Sequence, residues 1–176
     1  MIGAYEITRR AELSSEANCE HRGPYAVARA FDANDPRGRW HEWLRGVTLT
    51  MKQRQSAQNI DHMLVSNNFR HFLNRLNREV YGNAARRFGK GLKVIAVLEH
   101  DALVRFHYHA VIDQPETMNF TEFKQAIEDA WAKTRWGYDQ TAIVPMTSDG
   151  WVWYISKLDQ KPQYDLAIDW PNIRNS

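Results

Sequence analysis

The sequence predicts an α+β domain: an antiparallel sheet in βαββαβ order, helices on one of its faces, and an extra C-terminal helix. Three observations carry that prediction. Short β-branched runs alternate with long segments of helical periodicity. Two of the strand runs lie close enough in the chain for an antiparallel hairpin to join them. The 176 residues, 43% hydrophobic and 25% charged, have the size and composition of one globular domain.

Each element follows from its residues. Residues 1–44 show little periodicity; Arg9, Arg10, Arg22, Arg29, Arg37 and Arg39 are scattered among Gly23, Pro24, Pro36 and Gly38, which reads as an irregular arm packed on the domain. The domain proper is expected over 45–161. Arg45 to Met51 is a strand, with Val47, Leu49 and Met51 alternating with Thr48 and Thr50. A long helix spans Ile60 to Tyr81, its apolar stripe made by Ile60, Met63, Leu64, Phe69, Phe72, Leu73, Leu76 and Val80, and Gly82-Asn83 stops it. Leu92 to Glu99 is an almost continuously apolar strand, and Arg105 to Ile112 is its hairpin partner. Asn119, with Glu122 three residues on, forms a capping box and opens a helix with Phe123, Ile127, Ala130 and Trp131 on one face. Thr141 to Met146 is a fourth strand. Ser148 or Asp149 caps a third helix through Trp151, Val152, Tyr154, Ile155 and Leu158, which Pro162 limits. Residues 162–176 read as an extended tail. This order is the ferredoxin-like core, whose sheet has one face under the helices and the other free for a site.

Composition excludes several classes. Cys19 is the only cysteine, so a disulfide framework and a cysteine-built zinc site within the chain are ruled out, and a reducing compartment is expected: the bacterial cytoplasm, or the nucleus of a virus-infected cell. No apolar run approaches ~18 residues, so no membrane span is expected. Net charge is only +2, from 23 Lys and Arg against 21 Asp and Glu, so nucleic-acid affinity has to come from local clusters. The densest such cluster is Arg86, Arg87, Lys90 and Lys93, between the long helix and the second strand: phosphate contacts on one reading, a solvated loop on the other. Seven Trp, seven Tyr and seven Phe fill the core or stack on bases, and Trp40, Trp43, Trp136, Trp151 and Trp153 include the stacking candidates.

The chemistry concentrates in Glu99 to His109. His107 and His109 are two apart on a strand, so both imidazoles leave one face, half of a metal site. Glu99, at the end of the preceding strand, supplies a carboxylate if the connection has the right parity. A two-residue turn at Asp101-Ala102 pairs Glu99 with Val104 and aims it away; a three-residue loop centred on Ala102 sets it diagonal to His107, at ~7–8 Å between α-carbons. A Glu/His/His set with open positions suits a divalent ion that also holds a phosphate oxygen. On the last helix Tyr154 and Lys157 are three apart and share a face. A phenol ionising near ~10 is a poor nucleophile at neutral pH, which a nearby ammonium and a metal on the electrophile both remedy.

Taken together these segments resemble the HUH endonuclease superfamily, and within it the single-tyrosine initiators (Rep proteins) of rolling-circle replication. The resemblance runs from Arg45 to Gln160. Val47-Thr48-Leu49-Thr50 is similar to the family's first-strand motif, His107-Tyr108-His109 to its histidine-hydrophobic-histidine motif, and Tyr154-Ile155-Ser156-Lys157 to its Tyr-x-x-Lys motif, in the family's order. Glu99 stands eight residues before the first histidine, as the acidic ligand does in viral Rep proteins. The resemblance implies that His107, His109 and Glu99 hold Mg²⁺ or Mn²⁺. It implies that Tyr154 attacks a scissile phosphate to form a 5′-phosphotyrosine link, assisted by Lys157, and that Thr48 and Thr50 lie at the DNA. The implied partner is single-stranded DNA, or a hairpin, at a replication origin. His100 is an alternative ligand, and Asp159 a further ligand or a support to one. No ATPase motif is present, so a helicase is expected in trans. Two rival readings are a single-tyrosine HUH transposase, whose catalytic helix tends to supply a glutamine ligand, and a non-catalytic single-stranded nucleic-acid-binding module.

Overall fold

From α1 (Trp40–Trp43) the chain runs through β1 (Leu44–Met51), a small ribbon of β2 (Arg54–Gln55) and β3 (Gln58–Asn59), α2 (His62–Tyr81), α3 (Asn83–Phe88), β4 (Val94–Glu99), β5 (His107–Asp113), α4 (Phe120–Ala132) and β6 (Gly137–Pro145). This computed structural model describes residues 40–100, 105–146 and 168–173. β1, β4, β5 and β6 form one antiparallel sheet in the order β4-β5-β1-β6. That is the ferredoxin-like arrangement the element order predicts. Among the described residues no helix is long and apolar enough to cross a membrane.

Alternation decides which side chain faces which way. Val47, Leu49 and Met51 of β1, Val94 and Ala96 of β4, and Tyr108, Ala110 and Ile112 of β5 join one buried cluster with Phe69, Phe72, Leu73 and Leu76 of α2 and Phe123, Ile127 and Trp131 of α4. Both long helices therefore lie on one face. Within the cluster Phe69 stacks on Tyr108, ring centres 4.2 Å apart, and Phe72 meets Trp131 edge-on. Helix α2 begins where Asp61 accepts the Leu64 N–H at 2.8 Å. At its far end Gly82, at φ +54°, donates to the Arg78 carbonyl. Helix α4 carries the full reciprocal capping box of Asn119 and Glu122. Gly137 enters β6 where a β-carbon would lie inside the Trp131 carbonyl and 2.8 Å from Thr134 Oγ1.

Several details depart from the sequence reading. Gly82 redirects the chain rather than ending helical structure: Asn83–Phe88 forms α3, because Ala84, Ala85, Arg86 and Arg87 are good helix formers. The β2–β3 ribbon turns at Ser56-Ala57, with Ser56 at φ +55°, and lacks the Asn-Gly signal that betrays such turns. β6 starts at Gly137 rather than Thr141, since an edge strand with mixed exposure shows no clean period. The sheet's second face is open only at one end. At the other end Ile95, Val97 and Val111 are buried on it, which the unbroken apolar run of β4 demands. The tail residues 168–173 are docked: Ile168 bridges Val97, Asp169 N–H donates to the Ala96 carbonyl, and Trp170–Asn172 makes a 3-10 turn. The arm, residues 1–39, and the third helix with Tyr154, Lys157 and Asp159 lie outside the described residues.

Candidate metal centre

The hairpin register builds the site. Glu99 pairs directly with His107, Leu98 with Tyr108, and Val97 with His109. Seven residues separate Glu99 from His107, an odd number, so the pair shares a face. The diagonal placement expected for a three-residue loop is thus replaced by a direct pairing, because the hairpin axis falls one residue later, at Leu103. On the other side β1 runs in register with β5, setting Thr48 opposite His109 and Thr50 opposite His107.

At this end of the second face, Glu99 Oε2 lies 3.1 Å from His107 Nε2 and 3.2 Å from His109 Nε2. The three ligand atoms fall within 4.8 Å of one another, so the group can hold a metal ion. The imidazoles are set nearly perpendicular, ring centres 4.8 Å apart. The remaining ring nitrogens are engaged behind them. His107 Nδ1 lies 2.8 Å from the Arg105 carbonyl, and His109 Nδ1 lies 3.1 Å from Thr48 Oγ1. A carbonyl oxygen only accepts, so His107 Nδ1 carries the proton. In the neutral ring its Nε2 lone pair then points at a carboxylate oxygen. Two electron-rich atoms in such contact call for a cation between them. The spacing suits one: two cis ligands of an octahedral ion with bonds of ~2.1 Å are ~3.0 Å apart. Side-chain exposures of 23% for Glu99, 16% for His107 and 8% for His109 leave the group reachable from solvent through the first two.

The other predicted residues divide between this end of the sheet and elsewhere. Thr48 supports His109, and Thr50 Oγ1 donates to the Gln140 carbonyl beside it. His100 is outside the ligand group. Alternation carries it to the helix side, where its ring stacks on Phe106 with centres 3.8 Å apart and meets His62 edge-on. The basic run lies at the opposite end of the sheet. Arg86 and Arg87 are on α3, Lys90 sits 4.8 Å from the centre of the Tyr81 ring, and Lys93 precedes β4. Six strand residues separate Lys93 from Glu99, ~20 Å. Trp136, a stacking candidate, is buried.

Tyr108, between the two histidines, faces the core. Its hydroxyl donates to Asp169 Oδ2 at 2.6 Å, and Asp169 also accepts from Ser66 Oγ and Asn172 Nδ2. Burial, and then the neighbouring Asp169 charge, push its phenol well above the ordinary range. Asp169 and its partners were not visible as a site in the sequence, since nothing in Ile168-Asp169-Trp170 marks a tail residue as returning to the core.

The family model for the replication-associated proteins of the ORF2 type matches residues 45–162, a span containing Glu99, His107 and His109. The chain belongs to that family. No curated protein and no solved structure matches it. Family membership assigns the protein a role in replication, and so a place at origin DNA, and the Glu/His/His group is the part of the described domain equipped to hold a metal there.

Proposed function

We propose that this protein is a metal-dependent HUH-type endonuclease that nicks and rejoins single-stranded DNA, or a hairpin, to initiate rolling-circle replication. One observation carries the reading: two imidazoles converge on a single carboxylate oxygen at the exposed end of a ferredoxin-like sheet, in a replication-associated chain. Glu99, His107 and His109 would hold Mg²⁺ or Mn²⁺, which as a Lewis acid makes the scissile phosphorus more electrophilic. The sheet presents both Nε2 atoms by holding both Nδ1 atoms, so the ligands are oriented before any ion arrives.

The nucleophile is assigned by sequence. Tyr154 shares a helix face with Lys157 and follows the last core strand. Its phenolic oxygen attacks the scissile phosphate, a new O–P bond joins Tyr154 to the 5′ side, and the P–O bond to the 3′ oxygen breaks. That oxygen takes up a proton and leaves as a 3′-hydroxyl. Attack by a 3′-hydroxyl on the phosphotyrosine reverses the sequence and seals the strand. Lys157 stabilises the phenolate, and Asp159 lies two residues on as a support. Unwinding falls to a helicase in trans. Tyr108, locked in the core, is removed from the contest for nucleophile, which leaves Tyr164 as the rival.

Tyr154→Phe is expected to retain folding, Mn²⁺ binding and single-strand binding while forming no denaturation-resistant protein–DNA adduct. An adduct that persists in Tyr154→Phe and disappears in Tyr164→Phe would overturn the assignment.

A further inference from the structure

Beside the metal centre lies a cation that no motif singles out. Arg105 is exposed and stands two residues before His107, ~6.6 Å along the chain. Its carbonyl holds His107, and its guanidinium carbon lies 5.9 Å from the centre of the Tyr138 ring. Tyr138 belongs to β6 and Arg105 leads into β5, with β1 between those strands. The Arg105 side chain therefore crosses the end of β1, where Thr50 pairs with His107. Among the described residues no carboxylate forms a salt bridge with it. A long cationic side chain is thus laid over the sheet by an aromatic face, next to the metal ligands.

Resting on the nickase reading above, we propose that Arg105, oriented by Tyr138, binds the backbone phosphate of the nucleotide adjoining the one at the metal centre. The ligand class is a single-stranded phosphodiester. A planar guanidinium suits it because two parallel N–H donors match two phosphate oxygens and the charge persists at any working pH. The basic run on α3, ~20 Å away along β4, reaches a different part of the strand or none.

The test is binding of a fluorescent single-stranded oligonucleotide over a salt series, in chelator so that no cleavage occurs, with Mn²⁺ affinity measured separately by calorimetry. Arg105→Ala is expected to lower the log–log salt slope by about 0.7, one single-strand phosphate contact, and to leave Mn²⁺ affinity as in the wild type. Arg105→Lys should keep the slope and lose part of the affinity. Tyr138→Leu should weaken binding without changing the slope. Wild-type slope and affinity in Arg105→Ala would overturn this proposal alone, more so if Arg86→Ala with Arg87→Ala lowers the slope. Loss of Mn²⁺ binding in Arg105→Ala would also overturn it, since the residue would then act through His107. A wild-type protein that binds no single strand at any salt would overturn the nickase reading, and this proposal with it.

Discussion

Tyr108 and His109 are neighbours on one strand and have opposite fates. Tyr108 stacks on Phe69 beneath the helices, with its hydroxyl committed to Asp169, while His109 turns its Nε2 to Glu99 and its Nδ1 to Thr48. The two sheet faces thus divide the labour: one stores packing energy, the other carries polar groups that the core could not tolerate. A strand's two-residue period keeps them separate, so changes on one face should leave the other nearly untouched.

The sharpest way to break this division is to truncate each face in turn. His107→Ala with His109→Ala should abolish Mn²⁺ binding in calorimetry, and DNA nicking with it, while the thermal midpoint stays near that of the wild type. Phe69→Ala, at a fully buried position, should cost about 3–5 kcal/mol in denaturant unfolding, whereas Mn²⁺ affinity of the still-folded fraction is kept. Unfolding of the histidine double variant would show that the faces are not independent.

A smaller effect is expected from Tyr108→Phe, which keeps the ring and deletes the donor to Asp169. Leaving a buried carboxylate one hydrogen bond short costs about 1–3 kcal/mol. The pH dependence has a definite sign. The folded phenol ionises above the unfolded value near 10, so above that pH the unfolded chain binds fewer protons and stability falls as pH rises. Below it the contribution is complete. Denaturant midpoints measured through alkaline pH should show this fall in the wild type and a shallower one in Tyr108→Phe.

The smallest stability effect and a specific metal effect are expected together at Thr48. Thr48→Val preserves shape and removes the hydroxyl behind His109, so Mn²⁺ affinity should drop about 10–100-fold with little change in the thermal midpoint. Thr48→Ser should restore it. If instead both variants bind metal normally and lose single-strand affinity, Thr48 contacts DNA directly.

Local pattern alone determined much of this protein. The alternation of β1 and β5, the helical stripe of α2 and the capping box of α4 are set by residues a few positions apart, and each appears in the structure as the sequence predicts. The pairing of His107 with His109 on one face was legible for the same reason. Other features needed the tertiary structure, because they depend on residues distant in sequence. Register placed Glu99 directly against His107, which only the length of the connecting loop determines. Strand order brought Thr48 behind His109 and carried Arg105 across to Tyr138, on strands that are not neighbours in the chain. The return of Asp169 to the Tyr108 hydroxyl spans 61 residues, and no local periodicity encodes a contact at that separation. The basic run shows the converse: charge density along the chain marked Arg86 to Lys93, but β4 extends away from it, and the cation beside the metal ligands proved to be a single arginine in a segment of ordinary charge.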